Sequence, residues 1–358
     1  MPDNITLITS PKCWMEDAAL DALKKISLME GVTKLVGLPD LHPGKTPVGA
    51  VVLTDGIIFP HLVGNDVGCG MSLFQSATAL KKIKLERLAP RFESLESLSD
   101  IELSFNPYPE DSIDPAFGTL GGSNHFLELQ AVDRVYLPTE FKELEIDKAK
   151  LLLLVHSGSR SKGQMLYESY MEHLSGISMS SGLGETYLKE QKELLLWAQR
   201  NRECLARRAQ EFLDGRSELR LILDNPHNFV EEGEGGFYHR KGAVNALNGP
   251  VIIPGSRGTL TYVMKPTSDC QKSLFSLAHG AGRKWKRSDC KGRLRDKYRR
   301  DELYTTALKS RVICHDKELL YEEAPEAYKK VTDVIGALVD SGLASLICTT
   351  RPLLTLKI

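Results

Sequence analysis

Three short apolar runs in this chain each stop at a loop of small and polar residues, and this repeated stop constrains the fold most. Leu151–Val155 ends at His156-Ser157-Gly158-Ser159, Leu219–Leu223 ends at Asp224-Asn225-Pro226-His227, and Val251–Ile253 ends at Pro254-Gly255-Ser256-Arg257-Gly258. Runs this short, bounded by Gly and Pro, read as buried strands. Polar loops at the ends of rigid strands are a common way to build a site. Other strands are expected between Val48 and Phe59. Helices are expected over 14–30, 81–100, 185–213 (breaking at Gly215), 271–287 and 325–341, and a loop over 105–123. Strands and helices do not alternate cleanly, so the expected class is α+β, with mixed sheets and surrounding helices. The polar residues of interest run from 66 to 279 without a linker, which predicts one domain spanning 1–358.

Composition excludes more than it assigns. With 358 residues and 42% hydrophobic content there is enough apolar material for a sizeable core. A formal net charge of -1 leaves no global field to attract nucleic acid or membrane, so any such surface must be local. Seven scattered cysteines without a CxxC pair argue against a disulfide framework and for a reducing compartment. No apolar leader precedes Lys12 and no apolar run is long enough to span a bilayer, so a soluble cytoplasmic protein is expected.

The loops carry an unusual set of donors. Asp66 and Cys69 lie three apart among Gly64, Gly68 and Gly70, and His125, His156, His227 and His279 follow in small-residue loops. A lone cysteine is usually a small buried apolar residue, but Asp is rarely buried unless paired. Thiolate, carboxylate and imidazole together suit manganese, iron or zinc. Asp66, Cys69, His125, His156 and His227 exceed what one structural zinc needs. They suit two metals sharing a thiolate, as in sites that clamp phosphoryl oxygens. His239, between Tyr238 and two cations, suits an anion better than a metal.

Three segments bear on nucleotide and RNA. The loop Pro254-Gly255-Ser256-Arg257-Gly258 offers backbone N–H groups but lacks the Gly-Lys-Ser/Thr of a Walker A loop. In His279-Gly280-Ala281-Gly282-Arg283 the small residues leave room beside an imidazole able to act as a nucleophile. From Arg283 to Arg300 there are ten basic residues against Asp289 and Asp296, with Trp285 and Tyr298 interleaved. Such a stretch can neutralise phosphates and stack bases.

Together these segments resemble the RtcB family of RNA ligases. The motifs DLHPG (40–44), GNDVGCG (64–70), GTLGGSNHFLE (118–128), HSGSR (156–160), HN (227–228), HRKGA (239–243), PGS-x-G (254–258) and HGAGR (279–283) stand in the family's order. The resemblance implies the RtcB-like fold and two Mn2+ ions bridged by Cys69. Asp66 and His125 would complete one ion's ligands, and His156 and His227 the other's. It also implies that His279 attacks the α-phosphate of GTP. Asn124, Glu128, Asn228, Pro254, Gly255, Ser256, Arg257, Thr261, Gly280, Ala281, Gly282 and Lys357 match positions that hold GTP. The implied reaction joins RNA 3′-phosphate or 2′,3′-cyclic phosphate ends to 5′-hydroxyl ends, in RNA repair or tRNA processing, with or without an archease-type helper. The chain departs from the family's pattern at Ser161-Lys162-Gly163, at Arg257 where methionine is usual, and at Thr261 where serine is usual. Two further readings of the residues stay open. One is a metal-dependent phosphodiesterase that opens cyclic phosphates without ligation. The other is an RNA-binding protein that uses 283–300.

Overall fold

The computed structural model describes residues 1–214 and 218–357. An eight-stranded sheet runs in the order Val251–Pro254, Thr261–Pro266, Ala344–Lys357, Phe126–Val135, Lys150–Ser157, Gly70–Ala79, Leu219–Pro226, and Arg311–Cys314 pairs beside Ala344–Lys357. A five-stranded sheet runs Ile5–Leu7, Val32–His42, Val48–Thr54, Gly236–Lys241, Asn228–Gly233. Leu219–Pro226 closes one edge of the first sheet, and Asn228–Gly233 opens one edge of the second. His227 is the residue between them. Parallel pairing at Ile5–Leu7 and Arg311–Cys314 accompanies otherwise antiparallel ladders, so both sheets are mixed, and the α+β class holds.

The unbroken run Leu151–Val155 has a simple cause. Leu151, Leu153 and Val155 face one apolar core, and Leu152 and Leu154 face another. A strand covered on both faces reads as continuously apolar. Each fully buried leucine contributes about 1.5–3 kcal/mol.

The first of these cores is covered by the helix Leu183–Asp214, through Leu205, Ala206 and Ala209. Its inward stripe is not purely apolar. Gln191, Asn201 and Arg202 lie buried on it. Gln191 exchanges two 2.7 Å hydrogen bonds with the backbone of Val230, fixing the edge of the five-stranded sheet. Asn201 accepts from the Gly118 N–H at 2.7 Å and donates to Ser157 Oγ at 3.2 Å. Arg202 is fully buried. Its Nη1 donates to the carbonyls of Gly68 and Ser157, each at 2.9 Å, and its Nη2 and Nε grip Asp224. One helix therefore ties down both the DVGCG and the HSGSR turns.

Several expected elements differ in extent. The helix expected over 14–30 is Asp17–Ile26, and that over 325–341 is Val331–Asp340 behind a short turn begun by Pro325. Within 81–100 only Leu85–Glu93 is α-helical. The expected loop 105–123 holds one short turn at Asp111–Ile113. The strand from Leu219 extends to Pro226, and the 48–59 segment is Val48–Thr54 and Ile57–Ile58. The long helix is present, while its break at Gly215 lies outside the described residues. The helix expected over 271–287 is absent. Leu274 and Phe275 hold positive φ (52° and 50°), which ends a short turn, and Ser276–Ala278 pairs with Ala243–Asn245. The basic helix begins only at Arg287. An apolar spacing compatible with a helix was overridden by strand pairing.

Replacing Arg202 with methionine leaves the carboxylate of Asp224 without its partner, and is expected to destabilise the fold by about 3–5 kcal/mol. Urea denaturation measures this. Arg202→Lys should rescue little, because an ammonium cannot reproduce the forked contacts.

Candidate active site

Strand register explains how residues far apart in sequence converge. Gly70 is paired with both Ser157 and Pro226, and His156 with both Met71 and Phe126. Cys69, His125, His156 and His227 thus sit at the ends of four neighbouring strands, on one rim of the sheet. Ser276–Ala278 then delivers His279 to the same place. Gly158 lets the turns close up, since a Cβ there would lie 2.1 Å from Asp66 Oδ1.

At the rim, Cys69 Sγ is 3.1 Å from His156 Nε2 and 3.4 Å from His125 Nε2, and Asp66 Oδ2 is 3.1 Å from His125 Nε2. Cys69, His125 and His156 form a set of ligand atoms all within 4.8 Å of one another. The backbone orients the rings. His125 Nδ1 is 3.1 Å from the Leu120 carbonyl and His156 Nδ1 is 3.1 Å from the Asn124 carbonyl. A carbonyl accepts only, so each Nδ1 carries a proton; the Nε2 of His156 faces the sulfur, and that of His125 lies between the sulfur and the Asp66 carboxylate. The His227 ring lies 5.3 Å from that of His156, and its buried Nδ1 has no hydrogen-bond partner among the described residues. Burial lowers the pKa of His156 and His227, which favours the neutral, ligating form. Burial and then the Asp66 charge raise the Cys69 thiol well above its usual value. For Asp66, burial pulls upward, but His125 and Lys241 outweigh it and hold the carboxyl below its usual range. Converging lone pairs with one orphaned nitrogen are what a divalent cation satisfies, so the donor set fits a metal.

Beside this cluster stands His279, its ring 4.8 Å from that of His227. Its Nδ1 is 2.7 Å from Asp40 Oδ2, and its backbone N–H donates to the same oxygen at 3.2 Å. Asp40 is fully buried. A carboxylate on Nδ1–H leaves Nε2 as the lone-pair atom and supports positive charge on the ring. Gly282 makes the approach feasible, since a Cβ there would lie 2.3 Å from the Asp40 carbonyl oxygen. His42 lies alongside, with ring centroids 6.5 Å apart, and burial pulls it down to about 4 despite its bond to the Asp40 carbonyl. It is neutral near pH 7 and adds no charge next to His279.

These groups open onto a cavity of about 610 Å3. Its walls include Asn124, Glu128, Asn228 and Lys357, the loop Pro254, Gly255, Ser256 and Arg257, and Gly280, Ala281 and Gly282. Thr261 does not line it. Thr261 sits behind the wall, where Gln130 Nε2 joins its Oγ1 (3.1 Å) to Glu128 Oε2 (2.6 Å). Burial raises Glu128, although Thr355 and Gln130 donate to it. Asn228 braces the turn by donating to the Asp66 carbonyl at 2.9 Å. Arg257 is buried, with Nη2 on the Leu320 carbonyl and Nη1 without a partner among the described residues.

Sequence reasoning passed over several cavity groups. Asp40 was read only as part of a motif. Glu323 is buried and bonds Lys357 (3.3 Å), Arg283 (2.9 Å) and the Tyr328 hydroxyl, and Lys241 faces Asp66 and Cys69. Nothing in the local sequence of 318–328 marks it as lining a site. His239, read as an anion ligand, is instead a core residue whose Nε2 accepts from the Phe59 N–H at 2.8 Å. The basic stretch is partly neutralised from the same distant segment. Lys291 pairs with Glu318, and Lys297 pairs with Glu326 at 3.2 Å.

Fold and site together describe a buried donor set that fits a metal beside an oriented histidine, and sequence comparison places the chain in a family. The family model described as tRNA-splicing ligase RtcB matches residues 22–101 and 100–358. RNA-splicing ligase RtcB2 of Escherichia coli is 38% identical over 373 residues, covering 100% of this chain and 96% of that protein. The tRNA-splicing ligases RtcB of Archaeoglobus fulgidus and Thermococcus kodakarensis are 28% and 25% identical, covering 95% and 94% of this chain. The chain belongs to the RtcB family. Among the described residues no helix is long and apolar enough to cross a membrane.

A divalent metal should bind with release of about one proton at pH 7, because the raised Cys69 thiol must ionise while His156 and His227 are already neutral. Affinity therefore rises with pH. Calorimetry in buffers of different ionisation enthalpy measures the proton. Cys69→Ala should remove the release and weaken binding by more than the roughly 10–100-fold typical of losing an outer-shell partner.

Proposed function

We propose that this chain is a Mn2+- and GTP-dependent RNA ligase that joins RNA 3′-phosphate or 2′,3′-cyclic phosphate ends to 5′-hydroxyl ends, in RNA repair or tRNA processing. The observation that carries this reading is His279, held by the buried carboxylate of Asp40 at 2.7 Å and adjoining the Cys69 cluster. A phosphoesterase has no need of that second, oriented imidazole.

Asp66, Cys69 and His125 would hold one ion, and Cys69, His156 and His227 the other. Such ions neutralise phosphoryl oxygens. The His279 Nε2 lone pair attacks the α-phosphorus of GTP, the bond to the β-phosphate oxygen breaks, and pyrophosphate leaves. Asp40 stabilises the cationic ring that forms. An oxygen of the RNA 3′-phosphate, freed by hydrolysis where it was cyclic, then takes the GMP from Nε2. The 5′-hydroxyl attacks that activated phosphate, a phosphodiester forms, and GMP leaves. Asn124, Glu128, Asn228, residues 254–257, Gly280 to Gly282 and Lys357 line the space that GTP would occupy, and Thr261 supports Glu128 from behind.

Incubation with Mn2+ and α-labelled GTP should label the protein covalently. His279→Ala and Cys69→Ala should each abolish the label. An unlabelled wild type, or label that persists in His279→Ala, would overturn the reading.

Asp40→Asn should keep the fold but slow labelling by about 10^2–10^4, the range for losing an oriented proton-holding partner. Single-turnover labelling rates check this.

A further inference from the structure

Outside the cavity that holds His279, a second cavity of about 500 Å3 gathers two of the chain's three tryptophans, Trp14 and Trp285. Its volume falls within the roughly 300–1,000 Å3 typical of ligand pockets. Trp14 is 54% exposed, an unusual position for so large an apolar ring. Cys13 Sγ donates to the Asp333 carbonyl at 3.2 Å, which anchors the segment carrying Trp14 to the helix Val331–Asp340.

Trp285 is fixed by the active-site loop itself. Its N–H and that of Lys284 both donate to the Ala327 carbonyl (3.2 and 2.7 Å), its carbonyl accepts from Arg283 Nε at 3.2 Å, and Lys329 N–H donates to the Gly282 carbonyl at 3.0 Å. Tyr328 lines both the tryptophan pocket and the His279 pocket.

The charge around the rings is positive. Lys12, Lys284, Arg293, Lys329 and Lys330 line the pocket against Glu16 and Asp333. Lys329 is committed to the carbonyls of Pro39 and Leu41, beside Asp40. Lys12, Lys284 and Lys330 have no acidic partner within ion-pair distance among the described residues. Lys284 Nζ and Arg293 Cζ lie 5.2 and 5.0 Å from the Trp285 ring centroid. Tyr298, farther along the same basic stretch, differs. Its hydroxyl is held by Glu326 and its lysine neighbour is neutralised there.

We propose that this pocket is a single-stranded RNA subsite, in which a nucleobase stacks on Trp285 or Trp14 while Lys12, Lys284 and Lys330 meet the flanking phosphates. Aromatic rings serve any base, and unpaired lysines supply the counter-charge. The assignment rests on the ligase reading and extends it by naming where the strand lies next to the reacting end.

The test uses a short oligoribonucleotide with a 3′-phosphate and an abasic ribose-phosphate oligomer of the same length, with binding read by fluorescence anisotropy at several salt concentrations. At least one of Trp285→Ala and Trp14→Ala should weaken the ordinary oligomer about tenfold and leave the abasic one unchanged. Trp285→Phe should restore most of the loss. Lys284→Ala should weaken both oligomers alike and flatten the salt dependence. Labelling by GTP should be equal in all four variants. Wild-type affinity in both tryptophan-to-alanine variants, or equal loss for the abasic oligomer, would overturn the proposal. Failure of wild type to label with GTP would instead overturn the ligase reading and leave the binding result standing on its own.

Discussion

The Arg202 guanidinium lies between the turn that carries Cys69 and the turn that carries His156, bonded to a carbonyl of each and to Asp224 on the strand leading to His227. Three of the strand ends that make the site thereby share one buried cation. Burying a guanidinium is unfavourable unless its donors are met, and here the carbonyls and the carboxylate that meet them belong to the site's own scaffolding. The arrangement couples the position of the thiol and imidazoles to the seating of one long helix. It also explains why that helix turns a partly polar stripe inward, with Gln191 and Asn201 serving neighbouring segments in the same way.

Around that scaffold the site divides into two kinds of histidine. His125 and His156 are oriented by backbone carbonyls on Nδ1, which point each Nε2 at the Cys69 sulfur. His279 is oriented by a carboxylate, which tolerates a ring that becomes positive. Neutral partners suit permanent ligands, and a charged partner suits a group whose charge changes during reaction. The two kinds stand side by side because Ser276–Ala278, paired with Ala243–Asn245, brings His279 to within 4.8 Å, ring to ring, of His227 at the sheet rim.

Much of this was legible in the sequence. The apolar runs that stop at His156 and His227 became strands, and Cys69 lies beside His125 and His156, with the His227 ring next to that of His156. What was not legible came from partners far along the chain. Glu323 and Tyr328 reach the cavity from a segment with no motif, and Glu318 and Glu326 neutralise Lys291 and Lys297 of the basic stretch. The helix expected over 271–287 failed for a related reason. Leu277 and its neighbours found a strand partner at 243–245, and two positive φ angles turned the chain before them.

The sequence by itself determined the inventory: which donors exist, that they sit in small-residue loops at strand ends, and the family to which their order belongs. Those are local and ordered properties, readable along a line. Only the tertiary structure decided which carbonyl or carboxylate faces each imidazole, and so which nitrogen carries the proton. It alone placed Asp40 under His279, and Trp14 and Trp285 in one pocket. Proton placement and charge pairing are set by contacts of a few ångströms between residues that can be hundreds of positions apart, and no spacing along the chain records them.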